Sequence, residues 1–258
     1  MKFGMPAMIE LSSIEENIEL AKKLKLSFIE LNLDLPYCDF KKKDLLKLSK
    51  DNDIEFTIHL SEKIDVGELN DDLRKAYLKS IEKIVILGTK NNIKRYNLHI
   101  DPGIHFSLPD KKVFIYEQYL NQYKKALKKS CDFLNGLAEK YGVYILFENV
   151  KMPDYLKEGA KIISTYNNLF FTLDMGHNIR YGNIAQEYFE QFPNKIKHIH
   201  IHDFNGEKDH LPLGTGLLNV KERVNYIKEN NLYAVIEVKR EQELVDSVKY
   251  LNTIIKKI

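Results

Sequence analysis

The sequence predicts an α/β fold, a closed (β/α)8 barrel forming a single domain over residues 1–258. Three observations carry that prediction. Short β-rich runs alternate with amphipathic helical patterns, which points to a parallel sheet covered by helices. Eight such units in 258 residues match the size of a closed barrel. No GxGxxG or P-loop motif follows the first strand, so the rival, an open doubly wound sheet, lacks its usual signature.

Taken in order, the first strand is Lys2–Met5. The helix IEENIELAKKLK follows, with Ser13 as N-cap and Glu16 as its capping-box partner. Strand Phe28–Leu31 precedes a helix over Lys41–Asn52, and strand Ile54–Leu60 precedes one over Asp71–Asn91. Strand Arg95–Ile100 leads through a long loop, Asp101–Lys112, to a helix over Lys112–Tyr141. Val143–Glu148 pairs with Asp154–Tyr166, and Leu169–Asp174 with Ile184–Phe192. Ile196–Asp203 runs into the loop Asp203–Leu218 and a helix over Val220–Asn230. Tyr233–Val238 and a helix over Glu241–Lys257 close the series. Loops as long as 101–112 and 203–218 are lid candidates.

Composition narrows the function. Thirty-nine Lys+Arg against 37 Asp+Glu leave a net charge of +2. That balance argues against general nucleic-acid or membrane-surface binding, although a local basic patch stays open. The lysine-rich stretch QYKKALKKS reads as a solvated helix face. No apolar run approaches the ~20 residues that span a bilayer, and the start MKFGMPAMIELSS has no signal-peptide pattern. The two cysteines, Cys38 and Cys131, lack metal spacing and exclude a disulfide scaffold, so a reducing cytoplasm is expected.

Parity within the strands locates the chemistry. Alternate side chains face opposite sides of a strand. Ile54, Phe56, Ile58 and Leu60 form one face, and Glu55, Thr57 and His59 the other. Tyr96, Leu98 and Ile100 oppose Arg95, Asn97 and His99. Ile199 and Ile201 separate His198, His200 and His202, while Ile29 and Leu31 alternate with Phe28, Glu30 and Asn32. With the apolar faces against helices, the polar ones point into the barrel. Buried polar groups are costly without partners, so a polar site at the barrel mouth is expected. A half-wet antiparallel sheet is the alternative.

Histidines and carboxylates gather at the C-terminal strand ends, where barrel enzymes place their active sites. Glu148, Asp174, His200 and Glu237 end four successive strands, about one unit apart. This oxygen–nitrogen set suits a divalent cation, Mn²⁺ or Zn²⁺ foremost, with Mg²⁺ and Co²⁺ as alternatives. His59, His99, His177 and His210 are candidates for further metal or substrate contacts, and His198 sits deeper, in a supporting place. Gly214 and Gly216, in HLPLGTG, can turn tightly and present N–H groups to an anion.

The segments FEN at Glu148, LDMGH at Asp174, HIHIHD at His198–Asp203, DHLPLGTG at Asp209 and VIEVK at Glu237 together resemble the xylose isomerase-like TIM-barrel superfamily. That superfamily holds sugar and sugar-phosphate isomerases and epimerases as well as endonuclease IV-type enzymes. The resemblance implies Glu148, Asp174, His200 and Glu237 as metal ligands, with Glu148 and Glu237 moving the substrate proton. Their neighbours Asn149, His202, Asp203 and Lys239 are expected to touch substrate or support the ligands.

Two branches stay open. Ketose 3-epimerases carry an Asn-Arg pair and a further Glu after the first metal glutamate, where this chain has ENVKMPDY. They also carry an Arg after the strand-seven histidine, absent from HDFNGEK. The three-zinc pattern of endonuclease IV-like enzymes maps onto His59, His99, Glu148, Asp174, His177, His200, His210 and Glu237. It lacks an Asp two residues before His210, where Lys208 stands with Asp209 out of register. The expected function is a metal-dependent isomerase or epimerase of a sugar, sugar phosphate or related polyol, with a small molecule as partner. A phosphoesterase acting on abasic DNA or another phosphoester is the alternative, and a non-catalytic binding barrel is disfavoured. The sequence leaves the oligomeric state open, a homo-oligomer included.

Overall fold

The computed structural model describes residues 1–257. Its strands are β1 (Lys2–Pro6), β2 (Phe28–Asn32), β3 (Glu55–His59), β4 (Arg95–His99), β5 (His105–Ser107), β6 (Lys112–Phe114), β7 (Tyr144–Glu148), β8 (Leu169–Asp174), β9 (Ile196–Ile201) and β10 (Tyr233–Ile236). Its helices are α1 (Ile14–Leu24), α2 (Leu45–Asn52), α3 (Asp71–Lys90), α4 (Ile115–Gln118), α5 (Leu120–Tyr141), α6 (Asp154–Ser164), α7 (Met175–Arg180), α8 (Ile184–Phe189), α9 (Val220–Glu229) and α10 (Glu241–Ile255). All strands but β5 and β6 close into a parallel barrel, in the order β1, β2, β3, β4, β7, β8, β9, β10 and back to β1. The expected (β/α)8 TIM barrel is the fold. No helix among the described residues is long and apolar enough to cross a membrane.

Parity sorts the strand residues as the alternation requires. Ile29, Leu31, Phe56, Ile58, Leu98, Phe147, Leu173 and Ile199 are buried in the layer shared with the helices. The barrel interior is stacked differently from bottom to top. Arg95 lies 3.6 Å over the Tyr233 ring, and Tyr233 donates to Glu55 at the lower rim. Phe28 comes next, against Tyr233 and His198. Above it runs a polar layer of Glu30, Thr57, Asn97, Thr172 and His198, all buried. Thr172 donates to Asn97, which donates to Glu148. A register irregularity between β8 and β9 sets His198 opposite Thr172 and Asp174 opposite His200. That extra residue on β9 aligns its histidines with the carboxylates of its neighbours.

Helix starts follow local chemistry. Ser13 caps α1 by accepting from Glu16 N–H at 3.2 Å. The reciprocal bond is shifted by one residue, since the Glu16 carboxylate accepts from Ser12 N–H at 2.7 Å. Such a cap is worth about 1 kcal/mol.

Three expected segments differ. The helix expected over Lys41–Asn52 starts late: a 3₁₀ turn, Phe40–Lys42, covers its first residues, and α2 begins after the cap Asp44. The Asp39 and Asp44 side chains accept from the backbone N–H groups of Lys41 and Lys47, which competes with a continuous helix. The loop Asp101–Lys112 and the start of the expected Lys112–Tyr141 helix form the β5–β6 hairpin, and α5 begins only at Leu120. α7 is an additional helix, capped by Asp174 itself, which accepts from His177 N–H at 2.7 Å.

Candidate metal centre

Four consecutive barrel strands deliver Glu148, Asp174, His200 and Glu237 to one point. Glu148 and Asp174 end β7 and β8, His200 sits near the end of β9, and Glu237 follows β10. One ligand atom from each lies within 4.8 Å of all the others. His200 Nδ1 is 3.2 Å from Glu148 Oε1 and 3.1 Å from Glu237 Oε2. Both ring nitrogens of His200 and Glu237 Oε2 are buried and make no hydrogen bond. Orphaned polar atoms converging beside three carboxylates leave desolvation uncompensated. A divalent cation bound by oxygen and nitrogen would supply the missing partner, so the residues fit such an ion.

Burial alone would raise the Glu148 pKa, but His200 and His99 hold it well below the usual range. Burial likewise opposes ionisation of Glu237, and His200, His210 and Lys239 outweigh it. Asp174 is lowered against its burial by His202 and His177. Burial would lower His59, yet Glu148 pushes it up to about 9. His202 reaches about 9 in the same way, through Asp174. Anionic carboxylates are the form a cation needs.

The neighbouring histidines form two flanking groups, and a third, Glu30 with His198 and His200, lies beneath. His59 and His99 lie beside Glu148, with Nε2 atoms 3.5 and 3.7 Å from its oxygens, and the three can share an ion. His177, His202 and His210 form the other group. There the His202 and His210 rings stack at 4.1 Å, and His177 Nδ1 lies 3.2 Å from Asp174 Oδ2. His210 holds a left-handed backbone (φ 55°) and donates its N–H to His202 Nδ1 at 2.9 Å. Asp209 reaches this group despite its register, with Oδ1 3.2 Å from His210 Nδ1. Its other oxygen accepts from Arg180. Gly176 makes room for the group, because a Cβ there would strike the His202 ring.

The remaining expected residues divide. Asn149 pairs with the backbone of Asp174. Lys239 donates to Glu237 Oε1 at 3.0 Å, and His202 Nε2 lies 3.1 Å from Asp174 Oδ1. Asp203 turns away from the mouth and accepts from the N–H groups of Phe204, Gly214, Gly216 and Leu218. The anion that Gly214 and Gly216 bind is therefore Asp203, an internal carboxylate that pins the 203–218 loop. His105 lies on exposed β5 against Phe114, outside the metal-ligand groups. The sequence reading left Glu30 and Asn97 out of its candidates. Both lie under the ligands, and inward parity was the signal that marked them.

Above the ligands opens a cavity of about 590 Å³. Pro6, Ala7, Met8, Ile9 and Leu35 supply apolar lining, and His59, His99, His177, His210, Glu148 and Glu237 polar lining. The family described as xylose isomerase-like TIM barrel matches residues 18–254. This chain belongs to that family. The uncharacterized protein MJ1614 of Methanocaldococcus jannaschii is 28% identical over 249 residues, 92% of each chain. Among solved structures, a D-tagatose 3-epimerase-like protein superposes with a TM-score of 0.81 at 23% identity, covering 100% of this chain and 98% of that one. The 3-keto-D-glucoside 4-epimerase YcjR from E. coli gives 0.80 at 18%, covering 98% and 99%. The IolI protein, crystallised with a bound zinc atom, gives 0.74 at 19%, covering 99% and 96%. At these identities the superpositions establish a shared fold. Other solved structures that share this fold are named D-psicose 3-epimerase and L-ribulose 3-epimerase.

Proposed function

We propose that the protein is a divalent-metal-dependent isomerase or epimerase of a small sugar, sugar phosphate or related polyol. One observation carries this reading: two carboxylates, Glu148 from β7 and Glu237 after β10, converge from either side of β9 on His200 Nδ1, beneath an open cavity. A cation at this point would polarise adjacent substrate oxygens and acidify the C–H between them. Glu148 Oε1 and Glu237 Oε2 face the ligand point, and each carboxylate is placed to take or return a proton. One carboxylate takes the substrate proton and the other returns it on the opposite face, inverting the centre. Asn97 orients Glu148 Oε2, and Lys239 and His210 flank Glu237 Oε1. The epimerase names among the solved neighbours support the same class. Manganese and zinc suit the donor set. The two buried free cysteines are compatible with a reducing cytoplasm.

The test is deuterium exchange from solvent at the substrate carbon. Wild-type protein loaded with Mn²⁺ or Zn²⁺ exchanges on an accepted ketose or ketose phosphate. Glu148→Gln and Glu237→Gln each lose at least the ~10²-fold of a positioned acid–base group. Wild-type exchange in both metal-binding variants overturns the proton shuttle.

A second reading, a phosphoesterase with clustered metals, is favoured by the flanking groups His59–His99–Glu148 and His177–His202–His210. Elemental analysis separates the two. One metal per chain supports the isomerase, and two or three with cleavage of abasic DNA support the phosphoesterase.

A further inference from the structure

Glu30 is not one of the four convergent residues but lies directly behind one of them. It stands in the middle of β2, 3% exposed, where parity turns it into the barrel. Its Oε1 lies 2.8 Å from His200 Nε2. Its Oε2 lies 3.1 Å from His198 Nε2 and accepts from Thr57 Oγ1 at 3.2 Å. His198 and Thr57, from two other strands, thus hold Oε2 of the buried carboxylate, and Oε1 is left facing the Nε2 edge of the His200 ring. The opposite edge of the His200 ring, Nδ1, is the atom that faces Glu148 and Glu237.

A carboxylate oxygen 2.8 Å from a ring nitrogen would set lone pair against lone pair unless that nitrogen carries the proton. A neutral imidazole with its proton on Nε2 keeps its lone pair on Nδ1. We propose that Glu30 is a positioning residue, which fixes His200 in the Nε2–H form and so turns the Nδ1 lone pair toward the metal point. Glu30 cannot join the same coordination shell, because the His200 ring stands between them. Thr57 and His198 prevent the carboxylate from turning away. The inference rests on the metal reading above for the identity of the cation, and on the geometry of Glu30 for the orientation of the ring.

The experiment loads the full chain with cadmium, using histidine labelled with a spin-active nitrogen isotope, and reads metal–nitrogen coupling by NMR. The His200 signals are assigned by their loss in His200→Gln. Coupling to Nδ1, with a slowly exchanging proton on Nε2, is the expected result. Zinc competition against a chelator then compares wild type with Glu30→Gln and Thr57→Val. Glu30→Gln is expected to bind zinc about 10–100-fold more weakly, the usual effect of losing such a partner. Thr57→Val, which only loosens the carboxylate, falls between. Rapid exchange of the Nε2 proton in Glu30→Gln separates the proposed role from simple loss of packing. Coupling to Nε2 overturns the inference, as does unchanged zinc affinity in folded Glu30→Gln. Cadmium that couples to neither nitrogen overturns the metal reading itself. The wild-type coupling is decisive even if Glu30→Gln does not fold.

Discussion

The Asn149 carboxamide pairs with the backbone of Asp174 as a neighbouring strand would. Its Nδ2 donates to Asp174 O at 3.1 Å, and its Oδ1 accepts from Asp174 N–H at 2.9 Å. The ladder between β7 and β8 ends at Glu148, so Asn149 continues it with a side chain. The pair ties the ends of two strands that each carry a convergent carboxylate. FEN at Glu148 is thus a structural clasp as well as a candidate ligand.

Asn149→Leu keeps the volume and removes both bonds. It strands two buried backbone groups, each worth about 1–3 kcal/mol. The expected result is a loss of about 2–4 kcal/mol in urea unfolding, together with weaker zinc binding. Wild-type stability in this variant would show that the clasp is dispensable.

Gly176→Ala drives a methyl into the His202 ring. His202 is bound to Asp174 and stacked on His210, so it cannot move without disturbing both. Overpacking of this kind costs about 1–3 kcal/mol. Thermal unfolding should register that loss, and zinc affinity should fall with it. An unchanged affinity would mean that the His202 position does not govern Asp174.

The barrel was legible because two periods are written plainly in the chain: alternation along each strand and amphipathicity along each helix. The β5–β6 hairpin was not, since three-residue strands are too short to establish a period. The six residues of α7 were hidden for the same reason, inside what reads as a loop. The candidate ligands stood out because Glu, Asp and His at strand ends are unusual in a core. Glu30 was harder. Its parity put it inside the barrel, but its partners His198 and His200 lie far along the chain, and only closure of the barrel brings them together. The role of Asp203 was illegible because a glycine-rich loop reads identically whether its anion is a ligand or its own carboxylate.

Asp65 gives the fold a pH dependence away from the metal point. Burial, reinforced by Asp101 and opposed by donors from Tyr116 and Gly67, moves its pKa up from 3.8 to about 7. The folded chain therefore favours the acid form. Stability from this group is fully present below pH 3.8 and is lost as pH rises to about 7. A shift of that size carries about 4 kcal/mol. Asp65→Asn keeps an acceptor for Tyr116 and removes the charge. Its melting temperature should exceed wild type at pH 8 and approach it near pH 4. Equal gains at both pH values would assign the effect to packing instead of ionisation.

Metal removal should expose the cost of the convergent carboxylates. Glu148, Asp174 and Glu237 bring three negative charges within 4.8 Å contacts of one another and of His200, and a bound cation offsets their repulsion. A ligand at 100 times its Kd stabilises the state it binds by about 2.7 kcal/mol. For a chain of this size that corresponds to a rise of about 2–4 °C in Tm per kcal/mol. Chelator-stripped protein should therefore gain several degrees on adding zinc or manganese. Glu237→Gln keeps the shape of the site and weakens the set, so most of that gain should vanish while the metal-free Tm moves less. Every ligand must be deprotonated to bind. The gain should accordingly shrink as the pH is lowered and the carboxylates and His200 take up protons. Differential scanning calorimetry with and without metal, across pH, reads all three effects. A zinc-induced gain that survives intact in Glu237→Gln and Asp174→Asn would place the ion elsewhere and remove the basis for the proposed chemistry.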